Sequence, residues 1–173
     1  FEHGIVIANP TNTLRSVILD REYCRLNGAQ APLSEVRVED NEAEHSGGWR
    51  SMDANFDQFA ETVLSISMVK GAAVVYRPEL YSSGNYEVLA WISPEPDQAR
   101  EVEYEIAYSG GTTTVTIDQS AGEPGWRSLG VYPFEKGNHQ EVKVYSSLAG
   151  TVVADAVKWV SLARFNDGSR SDA

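Results

Sequence analysis

The chain has little cysteine and little histidine. Cys24 is the one cysteine among 173 residues, so the sequence forms no intramolecular disulfide and no thiolate metal cluster. The three histidines, His3, His45 and His139, stand in polar segments that we interpret as loops. A cysteine nucleophile needs a histidine base beside it. We therefore interpret Cys24 as a buried structural thiol, and we find no metal-binding histidine pair.

Long apolar runs and an excess of positive charge are also missing. No apolar run approaches the roughly 18 residues that span a bilayer, and no signal peptide is recognisable. Aspartate and glutamate number 25 against 14 lysines and arginines, which gives a net charge of −11. The lack of a long apolar run argues against membrane insertion. The net charge argues against nucleic acid and anionic membrane surfaces, and it favours neutral or cationic partners. A solvated acidic surface without a specific partner is the simpler explanation of the same charge.

Strict alternation is the clearest feature that the sequence does have. In "REVEYEIAY", residues 100–108, aromatic and aliphatic residues from Val102 to Tyr108 alternate with glutamates. This pattern predicts a half-buried strand with an acidic outer face. Ser109-Gly110-Gly111 follows and predicts a hairpin turn, because glycine supplies the positive φ that tight hairpin turns need.

A second segment, "NYEVLAWIS", is apolar on both faces. Tyr86 to Ile92 supply one apolar face at every second position, and Leu89 and Trp91 lie on the other. A strand that is apolar on both faces belongs in the middle of a sheet.

Further strands are predicted by segments with similar apolar patterns: "EVRVED", "TVLSISMVK", "AAVVYR", "EVKVYS" and "TVVADAVKWVSL". Clusters of glycine, proline, serine and asparagine separate them. About eight strands at this spacing, with no clear crossover helix, predict an all-β fold. The specific expectation is an antiparallel β-sandwich that resembles a jelly roll.

The first 33 residues differ from the rest of the chain. Residues 14–21 fit a helical stripe or a short strand, and 28–34 read as a linker. We expect an N-terminal arm or extension over 1–33, a sandwich domain over 35–165 and a flexible tail over 166–173.

A series of motifs follows Gly110. It runs from Gly-Gly-Thr to "VTIDQ", then to "GWRSLGVYPF" over 125–134, a valine strand and "VADAV" over 153–157. Their order and spacing resemble the golvesin C-terminal-like domain, which is also found at the C-terminus of some xanthan lyases. The resemblance covers about residues 36–162. It implies a β-sandwich with structural motif positions at Gly125, Leu129, Gly130, Tyr132, Phe134 and Asp155.

The sequence Gly-Trp-Arg-Ser occurs twice, around Trp49 and Trp126. Different residues follow the two copies, and in the resemblance they occupy non-equivalent turns, so we reject an internal duplication. Each tryptophan is predicted to lie at a turn that leads into a strand, either as a half-buried aromatic plug or as a platform on which a sugar stacks. Trp49, Arg50, Trp126 and Arg127 are therefore candidate ligand-binding residues, and the two arginines would suit an acidic polysaccharide.

Asp155 is predicted to share one strand face with Val153, Val157 and Trp159. A buried carboxylate there must find donors, and backbone N–H groups of an adjacent loop are the first interpretation. A calcium ligand is the alternative, with Asp118 or Asp53 as guesses for further oxygen ligands. Chance acidic pairs are certain among 25 acidic residues, so we assign no catalytic carboxylate.

The resemblance implies a non-catalytic extracellular or cell-surface domain. We expect a carbohydrate-binding or accessory module that attaches a polysaccharide-active or cell-surface protein to polysaccharide. The alternative is a structural subunit of a surface layer or fibre, which self-assembles through the apolar run at 5–7 in the arm. Nothing in the sequence supports a catalytic site, a phosphate loop or a nucleophile elbow.

Overall fold

The computed structural model describes residues 35–53 and 58–162. Every regular element in these ranges is a β-strand: β1 (Glu35–Glu39), β2 (Glu44–Ser46), β3 (Arg50–Asp53), β4 (Thr62–Ser67), β5 (Ala73–Tyr76), β6 (Gly84–Ile92), β7 (Val102–Tyr108), β8 (Gly111–Ile117), β9 (Gly125–Phe134), β10 (Val142–Tyr145), β11 (Thr151–Ala154) and β12 (Ala156–Ser161). In the same ranges, no helical segment has the length and apolar character of a bilayer span. The arm predicted at 1–33 and the tail predicted at 166–173 lie outside the described residues.

The strands form three sheets in which all neighbours run antiparallel. The orders are β1-β12-β6-β9, β2-β5-β10-β7-β8 and β11-β4-β3. The inward faces of all three sheets contribute to one hydrophobic core. The predicted all-β, antiparallel sandwich is confirmed.

The alternating strands face as predicted. Val102, Tyr104 and Ile106 are buried in the core, whereas Glu103 on the same strand is exposed. β6 lies inside its sheet, between β12 and β9, as its two apolar faces predict. The turn between β7 and β8 is the predicted hairpin, with Ser109 and Gly110 joining the two strands.

The segment "TVVADAVKWVSL" is two strands, so the prediction of one continuous strand is wrong. β11 pairs with β4 in the three-stranded sheet, β12 pairs with β1 and β6 in the four-stranded sheet, and Asp155 lies between them. The predicted common face is wrong too: Val153 is half-buried while its neighbours Val152 and Ala154 are buried. The side-chain alternation therefore does not continue across Asp155.

The short strand β2 was not predicted, β3 begins directly after Trp49 where a strand was expected, and β9 contains an irregularity. β2 and β3 have three and four residues and are exposed throughout, so they lack an apolar face that sequence patterning can detect. In β9, Gly130 lies opposite Val88 but Ser128 lies opposite Leu89, so Leu129 is an extra residue. Such a bulge reverses the side to which the following residues point.

The bulge explains several positions of the "GWRSLGVYPF" motif. Leu129 and Phe134 are each 2% exposed in the core, and the Tyr132 hydroxyl donates to the Leu129 carbonyl at 2.6 Å. Gly130 has φ of +119°, and a Cβ at this position would lie 2.6 Å from the Tyr132 hydroxyl oxygen. Gly125, which begins β9, also has a positive φ, of +150°. Both glycines thus occupy conformations that other residues rarely adopt.

Candidate functional site

The outer face of the five-stranded sheet carries a chain of ion pairs. Arg77 contacts Glu44 at 2.6 Å and Glu141 at 2.8 Å, and Lys143 contacts Glu141 at 2.7 Å and Glu105 at 3.3 Å. The hydrogen bond to Glu141 raises the pKa of Lys143. These side chains satisfy one another, which is typical of a solvated sheet face.

The outer face of the four-stranded sheet is different, because three aromatic rings meet there. Trp91 of β6 and Trp126 of β9 are directly paired across the sheet, with ring centroids 5.4 Å apart and nearly perpendicular planes. Phe59, which precedes β4, contacts both, at centroid distances of 5.3 Å and 5.0 Å. All three rings are half-buried. We call these three residues the aromatic surface.

Two cations lie over rings of the aromatic surface. The Arg37 guanidinium carbon is 4.6 Å from the Phe59 centroid, and the Lys158 ammonium is 4.4 Å from the Trp126 centroid. Both distances are typical of cation–π contacts. Arg37 also pairs with Glu39 at 2.9 Å and Lys158 with Glu35 at 3.2 Å. The rings are therefore bordered by groups that donate and accept hydrogen bonds.

A polar groove runs along β1 beside the aromatic surface. Its volume is about 440 Å³, and its lining comprises Glu35, Arg37, Glu39, Asn41 and Glu42. Arg37 belongs both to the groove and to the contact with Phe59. The groove and the rings thus form one continuous surface with apolar and polar parts.

Asp155 holds the loop that carries Phe59. Its two carboxylate oxygens accept the backbone N–H groups of Phe59 at 2.8 Å and Ala60 at 3.1 Å. The residue is buried, and burial raises the pKa of Asp155 to about 6, although these two hydrogen bonds act to lower it. The arrangement matches the first interpretation of Asp155, a carboxylate that accepts backbone N–H groups from a loop.

The described part of the chain contains no set of ligands for the alternative role of Asp155 as a calcium ligand. Within 35–53 and 58–162, no group of three or more histidine, cysteine, aspartate or glutamate side chains is placed to hold a metal ion. Asp118 instead accepts the backbone N–H and the hydroxyl of Ser120, at 2.8 Å and 2.7 Å. Asp53 is exposed at the end of β3.

The four candidate ligand-binding residues are separated by the fold. Trp49 is 6% exposed and belongs to the core, so it presents no ring to a ligand, and Arg50 begins β3 in the three-stranded sheet. Trp126 lies on the aromatic surface. Arg127 lies opposite Ala90, whose side chain is buried, and its guanidinium donates to the Glu123 carbonyl. The tryptophan and the arginine of each Trp-Arg pair therefore lie in different environments.

Sequence reasoning did not assign Phe59, Arg37 or Lys158 to a site. The alternation in β6 did predict an apolar outer face that includes Trp91, and the aromatic surface lies on this face. Phe59 follows no periodic pattern, and Arg37 and Lys158 come near the rings only through the pairing of β1 with β12 and of β12 with β6.

The fold and its motifs define an antiparallel β-sandwich domain with an aromatic patch on one outer face. Residues 36–161 match the family model of the Golvesin C-terminal domain, so the chain belongs to this family. A xanthan lyase of Bacillus sp. (strain GL1) is 29% identical over 123 residues, which are 68% of this chain and 13% of that protein. The chain therefore corresponds to a small part of the relative's length.

Solved structures share the fold. A Paenibacillus xanthan lyase superposes with a TM-score of 0.70 and 26% identity, over 75% of this chain and 13% of that one. A Podospora anserina GH26-CBM35 β-(1,4)-mannanase gives 0.61 and 9% identity, over 76% and 28%. A family 35 carbohydrate binding module from Clostridium thermocellum gives 0.56 and 12%, over 74% of this chain and 98% of the module. At the identities of the last two, the likeness concerns the fold alone.

Proposed function

We propose that this domain is a non-catalytic carbohydrate-binding module that binds polysaccharide through the aromatic surface. The observation that carries the proposal is the contact of Phe59, Trp91 and Trp126 on an outer sheet face, beside a polar groove. The fold likeness to a carbohydrate binding module and to xanthan lyase supports it.

The chemistry of this surface suits a sugar chain. A pyranose has an apolar C–H face that packs on an aromatic ring, and hydroxyls at its edge that need hydrogen-bond partners. The exposed parts of the three rings supply the first contact. Glu35, Glu39 and Asn41 in the groove supply acceptors and a donor for the hydroxyls. Their carboxylates, together with the net charge of −11, favour a neutral sugar at this surface.

The setting that we propose is extracellular or at the cell surface, as an accessory domain of a polysaccharide-active or cell-surface protein. In such a protein the module would hold a catalytic domain or a cell surface against polysaccharide, and this chain would supply no catalytic residue. The structural-subunit alternative depends on residues 1–33, which lie outside the described residues. It remains a prediction, and sedimentation of the chain over a range of concentrations tests it.

A glycan array followed by calorimetric titration tests the proposal. We expect a neutral polysaccharide to bind the chain and Trp126→Ala to weaken its binding about tenfold or more, equivalent to about 1.4 kcal/mol. Tyr81→Ala is the matched control, because Tyr81 is 56% exposed and lies outside the aromatic surface. Thermal melts of both variants establish that each is folded.

The two outcomes that would overturn the proposal are distinct. If no glycan binds the folded wild-type chain, the function is wrong. If a glycan binds but Trp126→Ala and Trp91→Ala bind it as tightly as Tyr81→Ala does, the binding lies elsewhere on the domain.

A further inference from the structure

A second groove lies on the three-stranded sheet, away from the aromatic surface. Its volume is about 380 Å³, which falls in the range of small-ligand sites. It is lined by residues of β3, of β4 and of the segments beside them: Gly48, Arg50, Met52, Ser65, Ile66, Ser67 and Val69. We call it the Arg50 groove.

Strand pairing places a basic side chain beside a row of hydroxyl groups. Arg50 lies directly opposite Ser65, and Ser67 lies directly opposite Thr151. The hydroxyls of Ser67 and Thr151 are 2.8 Å apart and hydrogen-bonded. Paired residues in an antiparallel sheet point to the same face, so the groove presents a guanidinium together with hydroxyls that can donate and accept.

The guanidinium of Arg50 is available to a ligand. Arg37 and Arg77 each pair with a carboxylate, whereas no carboxylate among residues 35–53 and 58–162 lies within ion-pair distance of Arg50. Asp53, the acidic residue of β3, alternates to the opposite side of the strand. In a chain of net charge −11, a guanidinium that pairs with no carboxylate of the described residues is a local group for binding an anion.

Apolar side chains complete the groove. Met52 is 54% exposed and Val69 is 37% exposed, and both line the groove with Arg50. A ligand that matches this lining has a carboxylate, hydroxyls and an apolar C–H face. A guanidinium binds a carboxylate through two parallel hydrogen bonds, while the serines and the apolar walls match the rest of a sugar ring.

We propose that the Arg50 groove binds a carboxylated sugar unit of an acidic polysaccharide, with Arg50 holding the carboxylate. The site is separate from the aromatic surface and does not depend on the function proposed there. Its ligand differs in charge from the neutral sugar proposed for the aromatic surface, so the two sites are distinguished by the ligands that they accept.

The test is a titration of the isotope-labelled chain, followed by NMR, with oligosaccharides of galacturonate, glucuronate and mannuronate. The methyl esters of the same oligosaccharides are the matched ligands, because they keep the ring and lose the charge. We expect an acidic oligosaccharide to shift the Arg50 side-chain signal and the amides of Ser65 and Ser67, and its ester to bind about tenfold more weakly or worse.

Variants locate the carboxylate. Arg50→Met should bind the acidic oligosaccharide about tenfold more weakly than the wild type, or worse. Arg50→Lys should have an intermediate affinity, because an ammonium cannot form the paired hydrogen bonds. Lys70→Met is the control: it removes one positive charge from the same region, but Lys70 lines a different groove with Tyr145. It should leave the affinity unchanged, and so should Trp126→Ala.

Three results would overturn this proposal. One is that none of the acidic oligosaccharides binds the folded chain. Another is that the acidic oligosaccharides and their methyl esters bind equally well. The third is that Arg50→Met and Lys70→Met weaken binding equally, which would indicate general attraction by positive charge. None of these results bears on neutral-sugar binding at the aromatic surface, which Trp126→Ala tests separately.

Discussion

Replacing Asp155 should destabilise the domain by an amount that depends on pH. The Asp155 carboxylate accepts the N–H groups of Phe59 at 2.8 Å and Ala60 at 3.1 Å, and the residue is 4% exposed. Asp155→Ala leaves both donors without this acceptor, and a buried donor without a partner costs about 1–3 kcal/mol. Removing a buried charge offsets part of that cost. We therefore expect a loss on the order of 1–3 kcal/mol near neutral pH.

The pH dependence follows from the raised pKa. Burial raises the pKa of Asp155 from 3.8 to about 6, so between these values the folded chain binds more protons at this residue than the unfolded chain does. The stabilisation linked to this proton is fully present below about pH 4 and is lost as the pH rises through about 6. The raised pKa corresponds to at most about 3 kcal/mol. The gap in unfolding free energy between wild type and Asp155→Ala should therefore be larger at acidic pH than at neutral pH.

Urea denaturation over a series of pH values from about 4 to about 7.5 measures this gap. Asp118→Ala is the control, because Asp118 is exposed and its contacts with Ser120 lower its pKa, so its effect on stability has the opposite dependence on pH. A gap for Asp155→Ala that stays constant, or that grows as the pH rises, would refute both the burial of the charge and the sign derived from it.

Three further predictions concern the core and the domain boundary. Tyr104→Asp should lower the melting temperature far more than Glu103→Lys, because Tyr104 is 2% exposed and Glu103 faces solvent; equal melting temperatures would contradict the assigned face. Gln119→Leu should lower the free energy of unfolding in urea by about 2 kcal/mol or more. The buried Gln119 amide donates to the Val153 carbonyl at 2.8 Å and accepts from the Val153 N–H at 3.0 Å, and both backbone groups would lose their partner. A loss below about 0.5 kcal/mol would show that water replaces the amide at those backbone groups. Deletion of residues 1–33 should leave a folded sandwich, because the three sheets that the structure describes are built from strands within 35–161. Early melting of the truncated chain would argue against the predicted boundary.

The regular strands could be predicted because their side chains alternate with a period of two. In β6 every second residue from Tyr86 to Ile92 is buried, and in β7 every second residue from Val102 to Ile106, so the apolar residues mark the inner face directly. The change of sheet at Asp155 has no such signal in the sequence, because buried apolar residues occur on both sides of Asp155. Only the exchange of partner strands, from β4 to β6 and β1, reveals that the chain changes sheets there.

The aromatic surface could be predicted only in part, because its geometry depends on distant contacts. Trp126 and Phe134 are an even number of positions apart, which suggests a common strand face, yet Trp126 lies on the outer face and Phe134 is buried. The extra residue Leu129 accounts for the difference, and the partner strand determines where such a bulge forms. Phe59 depends on a carboxylate 96 positions away in the sequence, which no local pattern encodes.

The pairing of the first and last described strands has a consequence for how the domain is attached to anything else. Glu35 at the start of β1 lies opposite Val160 near the end of β12, which in turn lies opposite Glu87 of β6. The described chain thus enters and leaves the domain at the same end of one sheet. Trp91 is four residues further along β6, about 13 Å away at about 3.3 Å per residue. Glu35 also lines the polar groove, so the two ends of the described chain lie beside that groove. Inserting this domain into a loop of another protein would therefore leave the two sides of that loop close together.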